Sequence, residues 1–177
     1  EGLAIVVEND KYGFVNAKME IVIPCEYESA EDFSEGLAPV KKNGKWGCIN
    51  LKGEEIIPFR YGSIGQFKDG IAKVYGNWSV GLINNKGEIL LPCEYEYIRD
   101  FKNGFAIIQN FREKSGLINT SGEVLLPCVF DGIADFHQGI TTLSQQKKMV
   151  CISLKGEVIT PYDFDDIEHF SEGLAAV

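Results

Sequence analysis

A short motif recurs along the whole chain at intervals of about 34 residues, and this repeat limits the possible folds more than any other feature. In each copy an acidic or polar residue precedes Gly, an apolar residue and then a small residue. The copies begin at Glu1, Glu35, Asp69, Asn103, Gln138 and Glu172. By subtraction, the successive intervals are 34, 34, 34, 35 and 34 residues. Such a chain is predicted to stack equivalent copies around a shared hydrophobic core.

Two further columns of residues keep the same period. A proline recurs at the same position of each copy, at Pro24, Pro58, Pro92, Pro127 and Pro161. A phenylalanine closes each copy, at Phe33, Phe67, Phe101, Phe136 and Phe170. The one extra residue lies in the fourth copy, around residues 109–113. An insertion between matching columns predicts a longer loop at that point.

The second copy shows how each copy is predicted to fold. Residues 37–41 have the composition of a short strand, and Asn43-Gly44 is a strong signal for a two-residue hairpin turn. A returning strand is predicted over residues 45–50. Residues 50–53, Asn-Leu-Lys-Gly, fit a type I turn in which the Asn side chain bonds the nearby backbone.

The end of each copy is harder to assign. A third strand is predicted over residues 54–57 and is expected to end at Pro58, because proline cannot donate a hydrogen bond to a sheet. Apolar residues then follow every three positions, at Tyr61, Ile64 and Phe67. This spacing fits either a 3₁₀-like turn or a bent short strand.

These elements predict an all-β fold, in which tandem β-meanders of about 34 residues form an elongated array or solenoid. A closed, propeller-like toroid is the alternative; 34 residues are few for a four-stranded propeller blade. Residues 1–177 are expected to form a single repeat domain. Its units are residues 1–34, 35–68, 69–102, 103–137 and 138–171, and a sixth unit begins over 172–177.

The second copy resembles a known family. The segment Lys45-Trp46-Gly47-Cys48-Ile49 and the residues after it, up to Pro58, are similar to the WG (or KWG) repeat of bacterial proteins. The resemblance extends over the whole chain, although the other copies replace the Trp or the Gly. It implies a β-repeat module without a defined enzymatic activity, and it supplies no catalytic residues.

Charge and composition exclude several classes of function. The formal net charge of -9 argues against a nucleic-acid partner, since phosphate contacts require clustered Lys and Arg. No apolar run approaches the length of a membrane helix, so membrane insertion is not expected. The sequence contains no phosphate-binding glycine loop, nucleophile elbow or catalytic triad order, and we predict that the protein is not an enzyme and has no cofactor.

The residues that could bind a metal form no recognisable site. His137 and His169 occupy different columns, and the acidic run over residues 163–168 lacks the glycine of a calcium loop. The five cysteines include no Cys-x-x-Cys pair and are expected to be reduced. Unpaired cysteines slightly favour a cytoplasmic location over a secreted one.

Aromatic residues outside the repeating columns are the remaining candidates for function. Those without a counterpart of their type in most copies are Phe59, Tyr75, Trp78, Tyr97, Phe111 and Tyr162. Copy-specific aromatics on a repeat scaffold are where a binding surface is expected. For Trp78 a core position is favoured, because it lies two residues before Val80 on the same predicted strand face. Phe111, in the inserted loop, is a candidate for exposed binding.

Two functions follow from these observations. The first is protein–protein interaction, or a scaffold or spacer role, within a larger bacterial protein. The alternative is a carbohydrate or cell-wall binding module that uses exposed aromatics as stacking platforms. The partner is therefore expected to be another protein, with a glycan as the second possibility.

Overall fold

The structure of this chain is a computed structural model that describes residues 1–134, 136, 139–153, 157–160 and 164–167. Eighteen β-strands and no helix are found in these residues, which confirms the prediction of an all-β fold. The strands form five small antiparallel sheets in tandem along the chain. The backbone divides into two compact units, Glu1–Glu94 and Tyr95–Val177.

The first unit contains three sheets, each a simple meander in chain order. The first sheet is β1 (Leu3–Glu8), β2 (Lys11–Asn16) and β3 (Ile21–Tyr27). The second sheet is β4 (Ser29–Ala30), β5 (Leu37–Lys42), β6 (Lys45–Asn50) and β7 (Glu55–Tyr61). The third sheet is β8 (Ser63–Ile64), β9 (Ile71–Tyr75), β10 (Val80–Asn84) and β11 (Ile89–Tyr95).

The second unit contains two sheets of the same design. The fourth sheet is β12 (Tyr97–Ile98), β13 (Phe105–Gln109), β14 (Ser115–Asn119) and β15 (Val124–Phe130). The fifth sheet is β16 (Gly132–Ile133), β17 (Ile140–Gln145) and β18 (Lys148–Ser153).

The predicted turns of the second copy are confirmed. Asn43 and Gly44 join β5 to β6 with φ values of 52° and 73°, as a type I′ turn requires. After β6, the Asn50 side-chain oxygen accepts hydrogen bonds from the backbone N–H groups of Lys52 (2.9 Å) and Glu54 (3.0 Å). The same arrangement recurs at Asn16, Asn84 and Asn119.

The end of each of the first four copies forms a bent short strand. Ser63 and Ile64 pair with Tyr75 and Val74 of the following hairpin, so this segment opens the next sheet. Of the two predicted alternatives, the short strand is therefore correct, and each full sheet begins with the final segment of one sequence repeat.

The prediction that the third strand ends at Pro58 is wrong. The strand β7 continues through Pro58 to Tyr61. Its neighbour β6 pairs Cys48 with Ile57 and Trp46 with Tyr61, so three residues of β7 bulge out opposite one residue of β6. Because β7 is the edge strand and Pro58 lies in this bulge, no ladder hydrogen bond is lost.

Each bulge presses against a glycine on the neighbouring strand. A Cβ atom built on Gly81 would lie 2.5 Å from the carbonyl oxygen of Leu91 and 2.8 Å from the backbone of Pro92 and Cys93. Gly13, Gly47 and Gly116 meet the equivalent strands equally closely. In the fifth sheet Val150 occupies this column. There, the described residues after β18 pair with β18 through the isolated bridges Met149–Phe164 and Ile152–Val158.

In the first unit, hydrophobic clusters fill the spaces between successive sheets. One face of the second sheet, including Ala38 and Ile49, packs with Phe14 of the first sheet. Its other face, including Cys48 and Ile57, packs with the third sheet. The burial of both faces explains why the four residues of β5 from Leu37 to Val40 are all buried. Ala38 is fully buried, as its small size in the repeat column predicts.

The second unit repeats this packing. Ile107 and Leu117 of the fourth sheet form one cluster with Leu143, Val150 and Ile152 of the fifth. The buried Thr141 stands in the column of Ala38, and its hydroxyl donates to the carbonyl oxygen of Ala134 at 2.6 Å. A shared hydrophobic interior between consecutive copies, the basis of the repeat prediction, is thus found in both units.

Polar contacts also join neighbouring copies in the first unit. The backbone N–H of Gly36 donates to the Glu1 carboxylate, and that of Gly70 donates to the Glu35 carboxylate, both at 2.8 Å. The Ser34 hydroxyl donates to the carbonyl oxygen of Phe67 at 2.7 Å. The acidic residue of the repeat motif therefore links one sheet to the next.

Candidate binding surfaces

Trp78 lies at the tip of the β9–β10 hairpin in the first unit and is 93% exposed. The tip is closed by a hydrogen bond from the Gly76 N–H to the Ser79 carbonyl oxygen at 2.8 Å. The φ of Trp78 is 65°, and the residue 34 positions earlier is Gly44, with a φ of 73°. A bulky, almost fully exposed side chain thus occurs at a turn residue with a left-handed backbone conformation, which glycine adopts at a much lower cost in free energy.

The predicted core position of Trp78 is wrong. The strand β10 begins only at Val80, so Trp78 belongs to the turn and does not share a strand face with Val80. Tyr75, the last residue of β9, pairs with Val80 and is 42% exposed. This hairpin therefore presents two of the six candidate aromatics together.

Phe111 lies on the corresponding hairpin of the second unit. Residues 110–114 join β13 to β14, a longer loop than in the other hairpins, as the extra residue predicts. The Asn110 side-chain oxygen accepts hydrogen bonds from the N–H groups of Arg112 and Lys114, both at 3.0 Å, which fixes the loop backbone. Phe111 is 57% exposed at its tip.

An ion pair stands beside this loop. The Lys114 ammonium donates to the Asp131 carboxylate, which also accepts the backbone N–H of Gln146 at 2.7 Å. The hydrogen bond from Lys114, followed by that from Gln146, holds the pKa of Asp131 below its usual value. Asp131 therefore ties the loop to the β17–β18 hairpin.

Tyr97 lines a cavity in the second unit, formed by the fourth sheet, the segment after β12 and Phe136. The cavity has a volume of about 270 Å³. Its lining combines aromatic, aliphatic and charged side chains, namely Tyr97, Arg99, Asp100, Lys102, Phe105, Ile107, Leu117 and Phe136. Tyr97 forms part of β12, opposite Gln109, and Arg99 follows this strand directly.

Arg99 is a candidate residue that a search restricted to aromatics misses. Its column contains Glu31, Gly65 and Ala134 in the neighbouring copies, so the cation is specific to this copy. A comparison of charges along the repeat columns would have found it in the sequence.

Of the last two candidate aromatics, Phe59 lies in the described part of the structure and Tyr162 does not. Phe59 lies on β7, is half-buried and packs against the cluster between the first and second sheets, where its ring stacks on Tyr27 at 6.4 Å between centroids. Phe59 therefore lies at the margin of this cluster, with part of its side chain exposed. Tyr162 lies outside the residues that the structure describes, as do His137 and His169.

All five cysteines are free. Cys25, Cys93 and Cys128 are half-buried on the edge strands, and their thiols face carbonyl oxygens of the hairpin beneath. Cys48 is fully buried, and this burial raises its pKa to about 12. Burial also raises the pKa of Cys93 and Cys128.

These thiols give a direct test of the redox prediction. With a pKa of about 12, Cys48 should be alkylated at pH 8 at least about a hundredfold more slowly in the folded protein than after unfolding, because the thiolate is the reactive form. Pulse alkylation with peptide mapping by mass spectrometry measures this rate. In concentrated guanidinium without reductant, all five thiols should react. Native alkylation of Cys48 as fast as that of half-buried Cys25, or fewer than five reactive thiols after unfolding, would contradict the prediction.

Two other types of site were sought. No group of three or more His, Cys, Asp or Glu residues in the described part of the chain is placed to hold a metal ion. Across the same residues, no helix has the length and apolar character that a membrane crossing requires.

Several solved structures are similar to this chain at low identity. They include Hsv2p from Kluyveromyces lactis (10% identity, TM-score 0.45, 86% of this chain and 58% of that one). BamB from Moraxella catarrhalis matches with 9% identity, a TM-score of 0.40, and coverage of 90% and 60%. The WD40 β-propeller domain of Doa1 matches with 13% identity, a TM-score of 0.36, and coverage of 90% and 64%. The chain thus spans less than two thirds of each of these structures.

No curated protein sequence matches this chain. The family described as "WG containing repeat" matches it five times, over residues 12–46, 46–75, 81–110, 116–148 and 151–177. These matches cover nearly the whole chain and agree with the resemblance of residues 45–58. The chain therefore belongs to the WG repeat family.

Proposed function

We propose that this WG repeat chain is a non-enzymatic module that binds another protein, with Trp78 as an anchor residue. The observation that supports this most strongly is the 93% exposure of Trp78 at a hairpin tip. Trp and Tyr are enriched among the few residues that dominate binding energy at protein interfaces. Tyr75 on the same hairpin adds a second exposed aromatic ring.

The turn of this hairpin does not by itself require a tryptophan. Asp10 and Lys147 occupy the same column with φ values of 60° and 64°, and Gly44 occupies it with a φ of 73°, so the left-handed backbone is a feature of the repeat. Only the Trp78 side chain is bulky and apolar there, and it contributes almost nothing to the core. Such a side chain at an exposed turn supports a role in binding.

Site-specific photocrosslinking tests the proposal. A benzoylphenylalanine introduced at position 78 should form a discrete protein adduct in extract of the source cells, because the anchor inserts into the partner. The same amino acid introduced at position 44 places an identical probe on the neighbouring hairpin and should give no adduct. Equal adducts at both positions, or none at position 78, would contradict the proposal and favour a passive spacer.

Replacing Trp78 by Gly should separate binding from folding. We expect partner binding to fall at least tenfold, while the free energy of unfolding stays the same or rises by up to about 1 kcal/mol, since glycine relieves the left-handed conformation. Titration of the purified partner and denaturant unfolding measure the two effects. As a matched control, adding Gly44→Trp to this variant should not restore binding. A large loss of stability in Trp78→Gly would instead indicate a structural role for the indole.

The pair of exposed rings on one hairpin also fits the alternative of carbohydrate binding. Sugar rings stack on exposed aromatic side chains, and Tyr75 and Trp78 stand only three residues apart. A glycan panel probed with the parent chain and with Trp78→Gly distinguishes the two functions. Glycan binding that disappears in the variant, without a protein adduct at position 78, would favour the carbohydrate alternative.

A further inference from the structure

The outer edge of β1 is open in the part of the chain that the structure describes. Each of the second to fifth sheets begins with a short strand, which the closing segment of the preceding copy supplies. The first sheet contains only β1, β2 and β3, in that order, so β1 is an edge strand. The backbone groups along such an edge can pair with a further strand.

The third sheet shows how hydrogen bonds fill this position. At the two ends of the short strand β8, the backbone N–H groups of Gly62 and Gly65 donate to carbonyl oxygens of β9 at 2.8 and 2.9 Å. The second, fourth and fifth sheets repeat both hydrogen bonds. In β1 the carbonyl groups in the same two columns are those of Ile5 and Val7, and they are the equivalent acceptors.

The apolar side chain of each short strand enters the hydrophobic core. In the third sheet Ile64 lies opposite Val74 and belongs to one cluster with Val74 and Ala72. The residues in the column of Ile64 are all 9% exposed or less, namely Ala30, Ile64, Ile98 and Ile133. A short strand therefore contacts both the backbone edge of its hairpin and a small apolar surface made by two alternate residues.

In the first sheet the corresponding apolar surface is uncovered. Ala4 is exposed and Val6 is half-buried. The other four residues in the column of Ala4 are 3% exposed or less, namely Ala38, Ala72, Ala106 and Thr141. The counterparts of Val6 in the next two sheets, Val40 and Val74, are 1% exposed or less. Both surfaces that a short strand would contact are thus accessible on β1.

The strand β1 also lacks the features that protect an edge. Natural sheets protect their edges with charged side chains, proline or bulges. Residues Leu3 to Val7 are all apolar, and none is proline. The opposite edge strand of the same sheet, β3, contains Pro24 and an irregular register against β2. Of the two edges of the first sheet, β1 is therefore the one suited to strand pairing.

We propose that β1 accepts an extended segment of a different protein that carries WG repeats, which adds to the first sheet as a fourth strand. The segment has the pattern of the closing segments of this chain, in which Ala or Ile precedes Phe by three positions. Its Ala or Ile lies opposite Val6, and its backbone N–H groups donate to the carbonyl oxygens of Ile5 and Val7. In strand addition the main-chain hydrogen bonds supply affinity and the alternate side chains supply specificity.

Two observations define the donor. The same position of four other sheets is filled by a segment of this pattern. Those four segments already pair with hairpins of their own chain, so none of them is available for β1. The surface is separate from the hairpin of Trp78, which belongs to the third sheet, and the inference goes beyond the proposed anchor.

A peptide that copies residues 60–68, with acetylated and amidated ends, tests the proposal. Titrated into the ¹⁵N-labelled full chain, it should shift the amide signals of β1, Ile5 and Val7 among them. The side chain of its Ile64 should show nuclear Overhauser effects to Val6. Ile64→Ser in the peptide leaves the peptide charge unchanged and should weaken binding at least fivefold, because the apolar surface of β1 is then left uncovered.

A variant of the chain tests the same contact from the other side. Ala4→Lys should weaken peptide binding at least tenfold, because it places a charge on the uncovered apolar surface. Its free energy of unfolding should change little, since Ala4 is exposed. Val22→Lys is the matched control, because Val22 is 41% exposed on β3 and the variant adds the same charge to the opposite edge strand. It should bind the peptide as the parent chain does.

The absence of shifts in β1 at millimolar peptide would overturn the proposal. So would equal binding of the Ile64→Ser peptide, or an equal loss of binding in Ala4→Lys and Val22→Lys. Sedimentation of the chain alone tests the source of the strand: a dimer that Ala4→Lys abolishes would identify a second copy of this chain as the donor and contradict a different protein. None of these measurements involves Trp78, so their failure and the failure of the photocrosslinking test are distinguishable.

Discussion

Replacing Gly81 by Ala should destabilise the first unit by about 3 kcal/mol, near the upper end of the cost of overpacking a core. The added Cβ would stand 2.5 Å from the Leu91 carbonyl oxygen and 2.8 Å from the backbone of Pro92 and Cys93. These atoms belong to the backbone of β11 and cannot rotate away, so the strand itself must move. Denaturant unfolding, followed by far-ultraviolet circular dichroism, measures the loss.

Gly65→Ala is the matched control, because it makes the same chemical change in the same sheet region. A Cβ on Gly65 would meet only the Lys73 carbonyl oxygen, at an ordinary van der Waals distance of 3.6 Å. Gly65 also does not have a positive φ, so its backbone conformation does not require glycine. Its effect should stay within about 0.5 kcal/mol. Equal effects of the two variants would show that the contact with the bulge is not what requires glycine at position 81.

Replacing Phe14 by Ala should cost about 4 kcal/mol, the usual loss when a buried aromatic ring is removed from a core. Phe14 is fully buried on β2, and its ring meets that of Phe33 edge-on at 4.8 Å between centroids. Its cluster joins the first sheet to the second. Because repeats are stabilised mainly by their neighbours, the loss should appear first in these two sheets.

Hydrogen exchange followed by mass spectrometry locates this effect. Peptides from β1–β3 should exchange faster in Phe14→Ala, whereas peptides from β13 and β14 in the second unit should keep their protection. Val7→Ala, at a position of β1 that is 54% exposed, should leave both regions nearly unchanged. Uniformly faster exchange along the whole chain would contradict the local model of stability.

Much of the fold could be predicted from the sequence because its signals are local. The Asn43-Gly44 turn, the Asn50 turn and the all-β composition depend on preferences of a few adjacent residues. The period of the repeat adds the stacking of copies, since a single meander cannot bury both faces of its strands. The choice between an open array and a closed ring stays a prediction.

Errors occurred where a distant strand decides the conformation. Pro58 was expected to end a strand, but the bulge opposite Gly47 places it on an edge where its missing N–H is harmless. Trp78 was assigned to the core from its position before Val80, but the strand begins later and the turn points the indole outward. Neither the bulge at Pro58 nor the exposure of Trp78 follows from the conformational preferences of adjacent residues alone.

The candidate sites divide in the same way. Tyr97, Phe111, Tyr75 and Trp78 could be selected from the sequence, because a residue that departs from its repeat column is visible without coordinates. How deeply each of them is buried could not be predicted, and Phe59, selected by the same rule, proved to be half-buried against a core cluster. That Tyr97 and Arg99 line the same cavity emerged only from the structure.

The sequence by itself therefore determined the repeat, its turns and its strand content, since these depend on contacts between residues close together in the chain. Only the tertiary structure decided which glycines are indispensable, which aromatics are exposed and where a cavity opens. Those properties depend on how closely two strands or two sheets approach each other, and that distance is set by all the side chains between them.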